Sequence, residues 1–181
     1  MALEKAFQSF FTVPDFSGTC RVKGLLNADD TRVMLDSLIE LGVGLAWEDD
    51  GQTLVVTPSG KLTSPSKALF LGNAGTASRF LTTMCTILET GAATLTGTKR
   101  LTERPIKHLT TALLNNGCKI KFLDKEGFFP LEIQGTGFPG GKIELSANVS
   151  SQYVSSILLS APYAKEPVTL HLQDKVKGVC T

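Results

Sequence analysis

Apolar residues recur at helical spacing in two separated stretches, and each stretch stops at a glycine. The first runs from Asp30 to Leu41 before Gly42, and the second from Arg104 to Asn116 before Gly117. Spacing near 3.6 predicts an amphipathic helix, and glycine after the last turn is typical of a left-handed C-terminal cap. The chain is therefore predicted to contain two equivalent helices.

The apolar residues of each helix are expected to form one stripe that packs into a core. These residues are Val33, Met34, Leu38, Ile39 and Leu41 in the first helix, and Ile106, Leu109, Leu113 and Leu114 in the second. Asp29 or Asp30 is predicted to cap the first helix. Pro105 is predicted to occupy the first position of the second helix.

Short runs rich in β-branched residues surround both helices and predict strands. The predicted strands span 18–24, 43–47, 53–57, 68–71, 93–98, 119–123, 131–133, 142–145 and 166–172. A second helix is predicted in each half, at 77–88 and at 151–159. The order strand, helix, strand, strand, strand, helix therefore occurs twice, and a further strand opens a third unit.

Glycines mark equivalent points of the two units, about 75 residues apart. The pairs are Gly18 with Gly91, Gly42 with Gly117, and Gly51 with Gly127. Repeated units bury their apolar faces against one another. A third unit that stops after one strand would leave apolar surface exposed, so we expect lower stability than in a complete domain, or self-association.

Composition places the chain among globular proteins. It has 181 residues, of which 42% are hydrophobic and 19% charged, with a formal net charge of +1. This near-neutral charge argues against a general nucleic-acid binder but leaves room for a small anionic substrate.

Cysteine and histidine spacing gives no sign of a metal site. The cysteines are Cys20, Cys85, Cys118 and Cys180, without a CxxC pair, and His108 and His171 are far apart. We expect a reduced cytoplasmic protein without zinc. No apolar run reaches membrane-spanning length, and the N-terminus does not resemble a secretory signal.

Three segments at element junctions are candidates for binding. In the first, 71–81, an apolar strand leads through Gly72 and Gly75 into a helix, whose free N–H groups would attract an anion. A tight turn before a helix explains this segment equally well.

In the second segment, 102–106, Arg104 lies at a helix N-terminus, where the dipole disfavours cations. Its guanidinium could hold a phosphate or carboxylate, or could pair with Glu103 or another surface acid.

The third segment, 148–154, opens a helix with Ser150, Ser151 and Gln152. One of the serines could simply cap the helix. However, this segment and the first occupy the same place in successive units. If the units pack side by side, their helix N-termini converge into a surface suited to a ligand with several negative groups.

The same segments resemble the EPSP synthase (3-phosphoshikimate 1-carboxyvinyltransferase) family. The resemblance rests on Leu71-Gly-Asn-Ala-Gly-Thr-Ala-Ser-Arg79, Glu103-Arg-Pro-Ile106 and Ser150-Ser-Gln152 in this order, and on the segment 24–31. The segment 149–157 is most similar to the fungal version, in which the domain lies within the pentafunctional AROM polypeptide. The implied fold class is α/β (α+β), an inside-out α/β barrel domain of repeated βαβαββ-type units, here two units and the start of a third.

The resemblance implies transfer of the enolpyruvyl group of phosphoenolpyruvate to the 5-hydroxyl of shikimate 3-phosphate, without a cofactor or metal. Gly75 and Arg104 would contact phosphoenolpyruvate, Ser150 and Ser151 would hold shikimate 3-phosphate, and Gln152 would touch both. Asn73 is counted with these substrate-binding residues, although Asn73 and Arg79 are expected mainly to shape their loop. None of these residues is expected to act as an acid or base.

The chain also departs from the family pattern. An upstream Lys-Ser-x-Ser-Asn-Arg segment is absent, and so is the second domain, the expected partner that supplies the acid–base groups. We expect residues 1–16 and 173–181 to be atypical and 17–172 to form a partial N-terminal domain. The chain alone should be inactive. Alternatives are a relative of the transferase acting on a UDP-amino sugar, and a non-catalytic substrate-binding module.

Overall fold

The computed structural model describes residues 19–57, 60–146 and 150–173, a mixed α/β arrangement. Its strands are β1 (Cys20–Lys23), β2 (Gly44–Glu48), β3 (Thr53–Thr57), β4 (Leu69–Phe70), β5 (Ala92–Thr96), β6 (Lys119–Phe122), β7 (Leu131–Gln134), β8 (Gly141–Leu145) and β9 (Val168–Leu172). Its α-helices are α1 (Asp29–Glu40), α2 (Gly75–Met84), α3 (Lys99–Thr102), α4 (Lys107–Asn115) and α5 (Ser151–Ser160). The segments expected to be atypical, 1–16 and 173–181, lie outside the described residues except for Gln173.

Two of the three predicted glycine pairs have matching backbone geometry, whereas Gly18 of the third pair lies outside the described residues. Gly42 and Gly117 follow α1 and α4 with φ of +89° and +96°. At both ends the glycine N–H donates to the carbonyl three residues back at 2.9 Å, and the next N–H donates five residues back at 3.0 Å. This pair of bonds satisfies carbonyls that the last turn leaves free. The two helices thus end in the same Schellman motif.

One sheet lies within the first unit, and the other two join successive units. β1, β3 and β2 form an antiparallel sheet. β4 of the first unit pairs in parallel with β5, to which β7 and β6 of the second unit are added antiparallel. β8 then pairs in parallel with β9, as expected if β9 opens a third unit. The β4–β5 and β8–β9 pairs are therefore equivalent joints.

Helices α2 and α5 pack side by side in the main core and run in the same direction. Thr76, near the start of α2, contacts Gln152 near the start of α5, and further along Thr83 contacts Ser156. Seven of the ten residues of α2 are buried, which places this helix inside the molecule. The parallel packing brings both helix N-termini to one edge, as the repeat predicted.

Several local predictions were wrong. The N-cap of α1 is Ala28, so Asp29 and Asp30 lie in the first turn, where their charges still favour the helix dipole. Pro105 is not the first residue of α4, because Ile106 is the N-cap and the helix begins at Lys107.

Other predictions were displaced by a residue or more. The short helix α3 was not predicted, and α2 begins two residues before Ala77. Ile39 and Leu114 lie at the margins of their stripes and are largely exposed. Within the described ranges, no helix is long and apolar enough to cross a membrane.

Candidate functional site

The loop between β4 and α2 is fixed by backbone bonds from the second unit. Gly72 adopts a φ of +53°, in the left-handed region that glycine tolerates best. The N–H of Thr98 donates to the Gly72 carbonyl oxygen at 3.0 Å, and the Thr98 hydroxyl donates to Asn73 Oδ1. Asn73 itself is exposed. These bonds hold the loop that precedes Gly75, the first residue of α2.

Arg104 lies between α3 and α4 and faces this loop. Its N–H donates to the Leu101 carbonyl oxygen at 3.0 Å, which continues the turn of α3. A methyl group built on Gly75 would lie only 2.7 Å from Arg104 Nη1. The guanidinium therefore sits directly against the bare backbone that opens α2, and any side chain at Gly75 would displace it.

The first turn of α5 displays a row of polar groups. Ser150 is the N-cap, and its hydroxyl accepts from the Gln152 N–H at 3.2 Å. Ser151 is the first helical residue and is partly exposed. The capping role considered for a serine is thus taken by Ser150, which leaves the Ser151 hydroxyl at a helix N-terminus that attracts anions. Asn148 and Val149 lie outside the described residues.

Gln152 bridges the two helices. Its Oε1 accepts from Arg79 Nη1, and its Nε2 donates to Thr76 Oγ1 at 3.0 Å. Both partners belong to α2, one turn apart. An oxygen held by a cation and a nitrogen held by a hydroxyl fix the amide in one orientation. One amide hydrogen remains available to a ligand.

Tyr153 connects α5 to the segment that carries Arg104. The Tyr153 hydroxyl donates to the Pro105 carbonyl oxygen at 3.2 Å. Arg79 lies over the Tyr153 ring, with Cζ 5.6 Å from its centroid, within the range of a cation–π interaction. The three candidate segments are thereby linked to one another by side-chain contacts.

A cleft opens where these segments meet, with an empty volume of about 220 Å³ that includes open solvent. It is lined by Gly75, Ser78, Arg79, Leu101, Arg104, Pro105, Ile106 and Phe129. This lining holds two guanidinium groups and no acidic residue. Within the described part of the chain, neither Arg79 nor Arg104 forms an ion pair, so the suggested Arg104–Glu103 pair is not found there. The cleft is suited to an anion.

The buried thiols of Cys85 and Cys118 have low reactivity. Desolvation raises the pKa of Cys85 from 9.0 to about 12 and that of Cys118 from 9.0 to about 11. Both therefore remain protonated at neutral pH and are poor nucleophiles. No group of three metal-binding side chains occurs in the ranges that the structure describes.

The structure brings most of the predicted site residues together. Gly75 and Arg104 line the cleft, and Gln152 is bonded to Arg79 of the same cleft. Ser150 and Ser151 stand at the adjoining helix start. The contributions of Thr76, Tyr153 and Phe129 were not predicted. Their placement depends on contacts between segments far apart in sequence, for which single-sequence patterns give no signal.

Comparison with known proteins identifies the family of the chain. The family model for EPSP synthase (3-phosphoshikimate 1-carboxyvinyltransferase) matches residues 16–179. The chain is 55% identical over 163 residues to the pentafunctional AROM polypeptide of Kluyveromyces lactis, and 53% identical over 161 residues to that of Schizosaccharomyces japonicus. Each match covers 86% of this chain and 10% of the relative.

Solved structures share the fold. Two structures of EPSP synthase from Acinetobacter baumannii each superpose with a TM-score of 0.81, at 24% and 25% sequence identity. They cover 98% and 97% of this chain, which spans 39% and 40% of theirs. The chain thus corresponds to about a tenth of the AROM polypeptides and two fifths of the bacterial enzymes. It belongs to the EPSP synthase family.

Proposed function

We propose that this chain supplies one side of the site at which an EPSP synthase binds shikimate 3-phosphate and phosphoenolpyruvate. The overall reaction moves the enolpyruvyl group of phosphoenolpyruvate to the 5-hydroxyl of shikimate 3-phosphate, with loss of phosphate, in the shikimate pathway to aromatic amino acids. Cytoplasm is the compartment we assign, with no nucleic-acid or membrane partner.

The observation that supports this proposal best is the position of Arg104. Its guanidinium lies against Gly75 without an acidic partner in the described residues, and Arg79 lines the same cleft. Two uncompensated cations beside the N-terminus of α2 form a site for a phosphate or carboxylate. We assign this cleft to phosphoenolpyruvate, which has both groups.

The start of α5 is the side that we assign to shikimate 3-phosphate. Ser150 and Ser151 offer hydroxyls at a helix N-terminus, and Gln152 keeps one amide hydrogen free between the two ligands. Asn73, on the neighbouring loop, is exposed and completes the proposed substrate-binding set. All these groups donate hydrogen bonds or hold charge, so their contribution is orientation and electrostatic stabilisation.

Proton transfer requires groups from elsewhere. The cleft lining contains no carboxylate, lysine or histidine that could act as acid or base. We assign this task to the second domain of the enzyme. The 181-residue chain by itself is therefore expected to bind substrate without turning it over.

The proposal is tested by titrating the chain with shikimate 3-phosphate and following amide chemical shifts by NMR. Saturable shifts centred on the starts of α2 and α5 are expected. Ser151→Ala should weaken binding roughly tenfold or more, because a hydrogen bond to a charged group contributes about 1.5 kcal/mol or more. Ser155→Ala is the matched control, since this serine lies one turn further along α5 and donates to the Ser151 carbonyl oxygen at 3.3 Å.

A dispersed spectrum with no response to shikimate 3-phosphate would contradict the assignment of the α5 start. Equal weakening in both serine variants would also contradict it, because the loss would then reflect the helix and not the Ser151 hydroxyl. Enolpyruvyl transfer by the isolated chain would refute the assignment of proton transfer to a second domain.

A further inference from the structure

Tyr153 combines deep burial with a polar group that reaches another element. Only 1% of its surface is exposed, which makes it one of the largest fully buried side chains of the described residues. It directly follows Gln152 in the first turn of α5. Its hydroxyl donates to a group outside α5, the carbonyl oxygen of Pro105, which directly follows Arg104. One side chain thus spans the two assigned ligand-binding segments.

The peptide group that receives this bond is held on both sides. The Pro105 carbonyl oxygen accepts from Tyr153 at 3.2 Å, and the Ile106 N–H of the same peptide donates to the Gly127 carbonyl oxygen at 2.9 Å. Ile106 is buried and is the N-cap of α4. A planar peptide bonded at both its oxygen and its nitrogen has little freedom to rotate. The fixed peptide therefore also limits the backbone orientation of the neighbouring residue, Arg104.

The hydroxyl is not explained by packing alone. A phenylalanine would fill the same space and keep the face on which Arg79 lies, and it would avoid burying a polar group. Burial raises the pKa of Tyr153, so the hydroxyl remains a donor at neutral pH. Arg79 lies within hydrogen-bonding reach of the same hydroxyl and opposes the effect of burial on its pKa, so the proton of the hydroxyl is directed to the Pro105 carbonyl oxygen. A buried donor directed at one acceptor on another element indicates that its hydrogen bond has a positional role.

We propose that Tyr153 is a positioning residue whose hydroxyl fixes the Pro105–Ile106 peptide, and with it Arg104, relative to the first turn of α5. This inference rests on the proposed function for its consequence, which is a fixed separation between the phosphoenolpyruvate side and the shikimate 3-phosphate side of the site. Tyr153 contacts neither substrate in this scheme and acts through Arg104.

The first test needs no ligand. Amide hydrogen exchange of Ile106 is measured in the chain and in Tyr153→Phe, which keeps the ring and removes the hydroxyl. Loss of one hydrogen bond to this peptide should speed Ile106 exchange about fivefold. Tyr163→Phe is the matched control, because Tyr163 lies past the far end of α5, and it should leave Ile106 unchanged. Unchanged exchange in Tyr153→Phe would overturn the proposal.

The second test separates positioning from general loosening. Affinities for phosphoenolpyruvate and for shikimate 3-phosphate are measured separately in both tyrosine variants. Tyr153→Phe should weaken phosphoenolpyruvate binding roughly threefold to tenfold and change shikimate 3-phosphate binding less than twofold, since α5 keeps its own contacts. Equal weakening for both compounds, or no change for either, would overturn the proposal. If the unsubstituted chain binds neither compound, the proposed function fails, whereas Ile106 exchange still decides the role of Tyr153.

Discussion

The two units share one architecture and differ where the site is built. In the first unit β1 ends at Lys23 and α1 begins at Asp29. In the second unit β5 ends at Thr96 and α4 begins only at Lys107, and the longer connection holds α3 and Arg104. This longer connection places Arg104 in the cleft. The shorter connection between β1 and α1 of the first unit has no equivalent residue. The repeated strands and helices form the scaffold of the candidate site, and the connection that differs between the units carries Arg104.

The second helices of the units show the same contrast. α2 begins after Ala74 without a side-chain cap, so its first turn presents bare backbone, and Gly75 leaves room for Arg104. α5 begins with Ser150, whose hydroxyl caps the helix. Parallel packing sets these two starts side by side. In the proposed site, the start of α2 would bind its ligand through backbone groups and open space, and the start of α5 through hydroxyl and amide groups.

The most direct test of this comparison is to remove Arg104, the cation that the longer connection of the second unit places in the cleft. Arg104→Ala should weaken phosphoenolpyruvate binding about tenfold to a hundredfold, because hydrogen bonds to charged groups contribute roughly 1.5–3 kcal/mol. Isothermal titration of the chain with phosphoenolpyruvate measures the change.

Arg32→Ala is the control within the first unit. Arg32 lies near the start of α1, is exposed, and donates through Nε to Asn27 Oδ1 at 2.9 Å. Its loss should leave phosphoenolpyruvate affinity unchanged. Similar losses in both variants would mean that overall charge, and not the Arg104 cleft, attracts the ligand.

A second prediction compares the two helix ends that the units share. Gly42→Ala and Gly117→Ala should each lower the free energy of unfolding by about 1 kcal/mol, because both positions have positive φ. Gly42→Ala should cost more, since its methyl group would lie 2.6 Å from Thr63 Oγ1, whereas the nearest atom at Gly117 is 3.7 Å away. Denaturant unfolding measures both values. The reverse order would show that the loop bearing Thr63 yields more easily than the backbone geometry suggests.

The smallest predicted effect concerns the cap that only α5 has. Ser150→Ala should lower the free energy of unfolding by about 1 kcal/mol or less, the usual contribution of a serine N-cap. Ser151→Ala removes a hydroxyl one residue later that caps nothing and should cost less. Thermal unfolding without ligand compares them. Equal losses would contradict the assignment of the helix cap to Ser150 and not to Ser151.

Local sequence signals predicted most of the elements. β3 was predicted to the residue, and Gly42 and Gly117 marked the helix ends, because alternation and left-handed glycines depend on a few neighbouring residues. The error at Pro105 has its cause in tertiary structure. Pro105 does not open α4, because its peptide is bonded to Tyr153 and Gly127, and this long-range pairing sets the start of the helix.

The site could be predicted only in outline. Helix N-termini in equivalent places predicted an anion surface, and the motifs predicted Gly75, Arg104 and Gln152 as substrate-binding residues, which remains a prediction. The sequence did not indicate that Arg79 holds Gln152, a contact between residues 73 positions apart. Such contacts follow from how the units pack, which no local pattern encodes.

The parallel strand pairs between units show that the segment that repeats in sequence differs from the segment that could fold by itself. β4 belongs to the first unit along the chain but completes a sheet with β5, and β8 does the same with β9. A unit excised at its sequence boundary would leave its neighbour's sheet one strand short. The segment that repeats is therefore not a segment that can fold autonomously, and we expect the joined units to unfold cooperatively, through the interfaces between neighbours.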